Sequence, residues 1–389
     1  MAAGAFQAVD VPCSVLHHPA DNGASCSDRT LDSLICSHPQ GAPYAFNLVC
    51  LSAPMQARWL LENGLDVIND SYTIAAWPWE TCQWPNTYLP LFEVVDEVWP
   101  SSIFTSQALL RPANQAGIPV NTFSMAAEIS DTDRFCTESS RKQNRCKFSL
   151  PEDAVIFCYS FDLNSTAIRK NPFAALEAFQ EAFPLPHLLA SKGRISNRHH
   201  LSSQVVLLIK TFPPRKFSPE LNWLRLRANE DSRIHLIEAS LDRDDLLALY
   251  GCSDVFLSLH RSEGFGRGIA EAFQLGLDVI ATDYGRNTDF CVGPLAHAVR
   301  FKEVPIPRGA YPSADGHRWA EPDIDHAVQI IRDVAERRIT TMLNQQALAG
   351  DLSRDKSVLS AYRERFSYAV VGYRYKQRLQ EIWQQLHSS

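Results

Sequence analysis

The chain has 389 residues, 45% hydrophobic and 21% charged. That length exceeds one hydrophobic core and suits two domains, and the composition excludes intrinsic disorder as the default reading. The formal net charge of −7 argues against broad nucleic-acid or membrane-surface binding, while leaving room for a local basic pocket around a phosphorylated ligand.

Residues 1 to about 45 are rich in Ser, Pro, Asp and Gly, with one short apolar run, Pro12 to Leu16. The opening MAAGAFQAVDVPCSV has no basic start and no long apolar run, so no signal peptide is expected. No window approaches the ~18 uninterrupted apolar residues of a transmembrane helix. The ten cysteines are scattered, without a CxxC pair or metal-ligand spacing to histidine. Free, mostly buried thiols in a reducing cytosol are the expectation, and cytoplasmic localisation with it.

Three apolar segments then read as strands: Phe46 to Ser52, Tyr72 to Trp77 and Val94 to Trp99, the last leading into a helix through Leu110. Asp131 to Phe148 is polar and charged and reads as an interdomain linker. Within it, Asp131-x-Asp133 looks like a metal-binding pair, but no apolar strand precedes it and a solvated loop is expected. A second alternating series follows, with strands Ala154 to Tyr159, Gln204 to Lys210 and Ile234 to Ile237. Its helices are Asn171 to Phe183, with Asn171 as N-cap before Pro172, and Asp242 to Tyr250, with acids in the first turn. Beyond about Asp323 the chain reads as helices to its end. Strands alternating with helices predict α/β domains with parallel sheets.

The most informative stretch runs from Ser253 to Phe290. An apolar strand (Val255, Phe256, Leu257, Leu259) meets a polar turn, Arg261-Ser262-Glu263. A glycine-bearing loop, Gly264-Phe265-Gly266, then opens a helix from Ile269 to Leu275 that carries Glu271, and a strand from Leu277 to Thr282 closes the unit. Such a unit presents backbone N–H groups and a helix N-terminus to an anion. Glu263 stands at a strand's carboxyl end, where open α/β sheets bind ligands. Glu271 lies within reach of the same crevice and suits ribose hydroxyls. Lys210, at the end of an apolar strand, and Arg169-Lys170, before a helix cap, suit a diphosphate. His260 stands beside the site and suits packing or a backbone contact better than proton transfer. The dense tryptophans Trp77, Trp79, Trp84 and Trp99 suit core packing, or sugar stacking where exposed. Gly264 and Gly266, with Asp283 after the next strand, match a dinucleotide fingerprint in part, but Ile269 stands where its third glycine belongs.

The Glu263-x7-Glu271 arrangement, inside SLHRSEGFGRGIAEAFQLGLDVIATDYGRNTDF, resembles the family-4 retaining glycosyltransferases of the GT-B fold. Phe161 to Phe183 and Trp319 to Asp323 resemble donor-domain segments of a bacterial, polysaccharide-type subgroup. AAWPWE and VVDEVWPSSIFTSQAL resemble its acceptor domain, and the likeness covers roughly residues 45 to 385. The resemblance implies two Rossmann-like domains facing across a cleft: an acceptor-side domain over 1–148, a donor domain over 149–345, and C-terminal helices over 346–389 returning to the first domain. It implies transfer of a sugar from a nucleotide-diphosphate sugar to a glycan or lipid-linked acceptor, without metal or other cofactor and with possible peripheral membrane contact. By the same resemblance Glu263 and Lys210 are catalytic. Lys170, Arg169, Gly264, Phe265, Gly266, Glu271 and His260 bind the donor, and Trp77, Trp79 and Glu80 lie on the acceptor side. The sequence departs from the family in three places. The first strand and its Gly-rich loop are missing, the match entering around Phe6 to Val11. The arginine common near the start of the second domain is replaced around Ser160 to Asp162. Val120 to Ile129 lacks a histidine-proline turn. These departures support an alternative, a non-catalytic module of glycosyltransferase ancestry within a larger assembly.

Overall fold

The computed structural model describes residues 1–16, 31–36, 44–68, 71–185, 199–214, 216–343 and 356–388. The chain forms two compact units, Met1–Glu128 with Arg363–Ser389, and Ile129–Tyr362.

In the first unit β1 (Val15–Leu16) pairs in parallel with β2 (Ile35–Cys36). A three-stranded parallel sheet follows, in the order β3 (Phe46–Val49), β4 (Tyr72–Ala75), β5 (Glu97–Val98). Val98 adds a bridge to Val120. Among the described residues β3 is therefore an edge strand of this sheet. The helix Ile103–Ala116 outlasts its expected end, held at its start by the Ser102 hydroxyl accepting from the Thr105 N–H. The core joins Ile74 and Trp99 of the sheet region to Phe6 of the N-terminal helix and to Val371, Tyr375 and Ile382 of the C-terminal helix Tyr368–His387. A Cβ at Gly372 would lie 2.0 Å from the Ala5 carbonyl oxygen, so only glycine lets those two helices approach so closely.

The second unit holds a six-stranded sheet in the order β8 (Ile234–Glu238), β7 (Val205–Phe212), β6 (Val155–Asp162), β9 (Val255–Ser258), β10 (Asp278–Thr282), β11 (Ala296–Val299). Every pairing is parallel. The strand sequences VIFCYSFD and VVLLIKTF are almost uninterruptedly apolar because parallel strands are covered on both faces. Phe157 on β6 packs edgewise on Phe179 of the helix Pro172–Ala182, and the helix Ile324–Leu343 contributes Ile331, Val334 and Ala335 to the same core. From β6 the chain builds outward through β7 and β8, then restarts at β9 on the other side of β6. The connections after β6 and β9 thus diverge, opening a crevice at their carboxyl ends.

The sequence reading needs four corrections. The stretch 131–148 is not a linker; it forms the helices Asp133–Cys136 and Glu138–Lys147 of the second unit. Its polarity conceals Arg141 and Arg145, one helical turn apart, which reach the buried Asp254 at 2.5 and 2.8 Å. Asn171 holds the N-cap position before Pro172 as expected, but its side chain makes no capping bond: its φ is left-handed and the side chain donates to the Leu259 carbonyl instead. β11 and the antiparallel hairpin of β12 (Phe301–Pro305) and β13 (Arg318–Pro322) were not foreseen, since their alternation is weak. Of the described cysteines only Cys158 and Cys252 are buried; Cys50 and Cys146 are exposed and the rest half-buried, and Cys26 lies outside the described residues. No described helix is long and apolar enough to cross a membrane.

Candidate functional site

β9 delivers the polar turn to the crevice, and the connection after β6 fixes it there. The Arg169 guanidinium donates to the carbonyl oxygen of Ser262 at 2.9 Å, and its own carbonyl accepts from the Arg261 N–H at 2.8 Å. Lys170 pairs with Glu263 at 2.5 Å, and Asn171 donates to Leu259 at 3.0 Å. Three consecutive residues thus hold the turn Leu259 to Glu263. Arg261 ties the same turn to β13 through a bidentate pair with Glu321, at 2.6 and 2.8 Å.

Glu263 lies beside two cations, Lys170 at 2.5 Å and Arg169 at 3.9 Å. Burial alone would raise its pKa, but the two cations overcome that and hold it at about 2. It is a permanent carboxylate at neutral pH. His260 is fully buried, which pushes its pKa down and keeps it neutral. Its Nδ1 meets the Ser258 hydroxyl at 3.0 Å, and its Nε2 meets the Tyr284 carbonyl at 3.0 Å and Asn287 Oδ1 at 3.1 Å. His260 therefore braces the loop after β10 and offers no face to a ligand.

The glycine loop is shaped from behind. Gly266 has φ of +78° and sits at the cap of the helix Arg267–Gln274. Gly285 has φ of +92°, and a Cβ there would fall 2.8 Å from the Glu263 carbonyl oxygen, so the two loops touch only because that residue is glycine. The Arg286 guanidinium stacks on the Phe265 ring, 3.8 Å from its centre.

Glu271 is 1% exposed. Its Oε1 accepts from Arg243 at 2.5 Å and from Arg267 at 2.8 Å. Lys210 lies on β7, which runs two residues beyond the expected end. It is 7% exposed, and no carboxylate pairs with it among the described residues; its nearest aromatic contact is the Phe212 ring at 5.8 Å. Burial pushes its pKa down, opposed in part by the charge of Asp162.

The structure thus brings together Glu263, Lys170, Arg169, His260 and the Gly264 to Gly266 loop. Lys210 forms no ion pair with either glutamate. The acceptor-side residues take a different form from an open sugar platform. Trp77 is fully buried and Trp79 nearly so; Trp77 stacks on Trp84 at 5.1 Å and donates to Gln56 at 2.5 Å. Packing accounts for both tryptophans, and Glu80 beside them is half-buried. Asp131 accepts from the Arg134 N–H at the start of a short helix. Sequence reading missed Arg243, Arg267 and Arg286. Arg267 was legible as the i,i+4 partner of Glu271; the other two approach from distant segments.

No family model matches the chain, and no curated protein matches it. Solved structures do. Sucrose-phosphate synthase from Thermosynechococcus elongatus superposes with a TM-score of 0.57 at 16% identity, over 87% of this chain and 74% of that one. Anabaena HepE in complex with UDP-glucose gives 0.56 at 12% identity, over 87% and 79%. A UDP-forming trehalose-phosphate synthase from Burkholderia xenovorans gives 0.53 at 14% identity, over 83% and 70%. The fold is GT-B. At these identities the likeness shows the fold alone and leaves chemistry to the site.

Proposed function

We propose that this chain is a retaining glycosyltransferase that moves a sugar from a nucleotide-diphosphate sugar to a hydroxyl of a glycan or lipid-linked acceptor. The observation that carries the reading is Lys210. A lysine 7% exposed, without a carboxylate partner among the described residues, on a strand next to the switch point, is a cation built for an incoming anion. Glu263 supplies a permanent carboxylate for donor-sugar hydroxyls, and Glu271 an acceptor for the ribose. Backbone N–H groups of the Gly264 to Gly266 loop and the following helix start face the diphosphate.

In the proposed reaction the bond from the anomeric carbon to the leaving phosphate oxygen breaks as the acceptor oxygen attacks the same face. The acceptor proton passes to the leaving phosphate oxygen. Lys210 and Lys170 neutralise charge developing on the diphosphate, the role a metal fills elsewhere. Lys170 must partly exchange Glu263 for phosphate in doing so. With the leaving phosphate taking the acceptor proton, the paired-carboxylate scheme of glycosidases does not carry over, and Glu263, held ionised, is not a general acid.

Lys210→Ala and Glu271→Ala are each expected to weaken nucleotide-sugar binding at least ~10-fold in calorimetry. Unchanged affinity in both variants overturns the assignment. A non-catalytic module is the second reading, favoured by β3 being an edge strand among the described residues of the first unit. A turnover assay over UDP-, GDP- and dTDP-sugars separates the two: binding without transfer or donor hydrolysis selects the module.

A further inference from the structure

Glu271 offers a ligand only half of what its position suggests. Its carboxylate is buried, and both arginine contacts fall on one oxygen: Arg243 reaches Oε1 from the start of the helix Arg243–Gly251, and Arg267 reaches it from one turn before Glu271 on its own helix. Oε2 accepts no hydrogen bond from the described residues. The arginines differ from Glu271 in exposure, their side chains being 36% and 52% exposed. The group therefore has a buried, anchored carboxylate with one unused acceptor, flanked by two partly exposed arginines.

A carboxylate with both oxygens open takes two neighbouring hydroxyls at once. One whose Oε1 is shared by two charge-assisted hydrogen bonds has little lone-pair capacity left there. Displacing either arginine would break a partly buried ion pair, which a neutral hydroxyl does not replace in strength.

We propose that Arg243 and Arg267 are specificity-determining residues of the nucleotide site: they reserve Oε1 of Glu271, so that the pocket reads one ribose hydroxyl through Oε2 and not the vicinal pair. The net positive charge of the three groups favours a nucleotide over its nucleoside. The inference rests on Glu271 being the ribose acceptor of the proposed function, and it deepens that reading by fixing which sugar edge is recognised.

The test measures affinities of the full chain for UDP and GDP, each as the ribonucleotide, the 2′-deoxy and the 3′-deoxy form. Loss of one hydroxyl is expected to cost ~10-fold or more, as for a hydrogen bond to a charged group, and loss of the other less than about threefold. In Arg243→Gln with Arg267→Gln, Oε1 is released and the second hydroxyl is expected to matter as well. Equal losses for both deoxy forms in the unaltered chain, or no loss for either, overturn the inference while leaving nucleotide binding intact. Failure of UDP, GDP and dTDP alike to bind overturns the proposed function itself, and this inference with it. The unaltered chain alone decides the first comparison, so poor folding of the double variant does not blunt it.

Discussion

Glu263 and Lys210 sit in one sheet-end region with opposite electrostatic situations. Glu263 is satisfied by cations before any ligand arrives, whereas Lys210 has no carboxylate partner among the described residues. The first situation makes a pH prediction with a definite sign. The ordinary value of the carboxyl is 4.5 and its value here is about 2. Between those values the unfolded chain binds the extra proton, so the stability contributed by the pair is full above about pH 4.5 and is lost as the pH falls toward 2. The Glu263 side-chain carbon signal in NMR is expected to titrate near the low end of that window, and Lys170→Ala to move the midpoint upward. A midpoint already near 4.5 in the unaltered chain would show that the ion pair does not form in solution. At this scale the two glutamates, Lys210 and the Arg169-Lys170 pair could all be picked out of the sequence, because strand ends and helix starts are local signals. The arginine clamp on Glu271 could be picked out only by half. Arg267 shares a helix face with it, while Arg243 arrives from 28 residues away.

The helix Glu138–Lys147 shows how an element can be misread. Ten residues with hardly an apolar side chain look like solvent-exposed linker, since a helix normally announces itself by an apolar stripe. Here the buried face is made by arginines. Arg145 is 4% exposed and donates to the carbonyls of Cys252 and Ala154, both at 3.0 Å, as well as to Asp254 at 2.8 Å. Asp254 in turn accepts from the Ile156 N–H at 2.8 Å, so this one network sets the start of β6 against the start of β9. Arg145→Ala leaves a buried carboxylate short of a partner and is expected to destabilise the second unit by about 3–5 kcal/mol. Denaturant unfolding followed by circular dichroism measures it, and a change below about 1 kcal/mol would return the helix to the status of surface decoration.

The first unit binds chain segments that are far apart in sequence. Arg378 on the C-terminal helix pairs with the buried Glu97 at 2.9 Å, and Lys376 donates to the Val9 carbonyl at 2.7 Å. Neighbouring bonds from Trp99 and Asn121 complete the Glu97 carboxylate. Arg378→Ala is expected to cost roughly 3 kcal/mol, the removal of one partner from a buried pair. Six of the eight tryptophans belong to this unit, so their fluorescence reports on it. The variant should shift the fluorescence transition to lower denaturant and leave the transition of the second unit in place, the two-unit chain having no single unfolding free energy. A common shift of both transitions would mean that the units unfold as one.

By itself the sequence determined the α/β class, five of the six strands of the large sheet and the residues at their carboxyl ends. Those features are local: apolar runs form buried strands, and polar residues beside glycine mark the turns that follow. The tertiary structure decided three further matters. It made Trp77 and Trp79 core residues, because Trp84 stacks on the first and meets the second edge to face. It turned a polar stretch into a helix anchored by two arginines that find the buried Asp254. It divided the Glu271 carboxylate between two arginines and one open oxygen. Each depends on which charged or aromatic group meets which across the fold, and such pairings leave no period in a sequence.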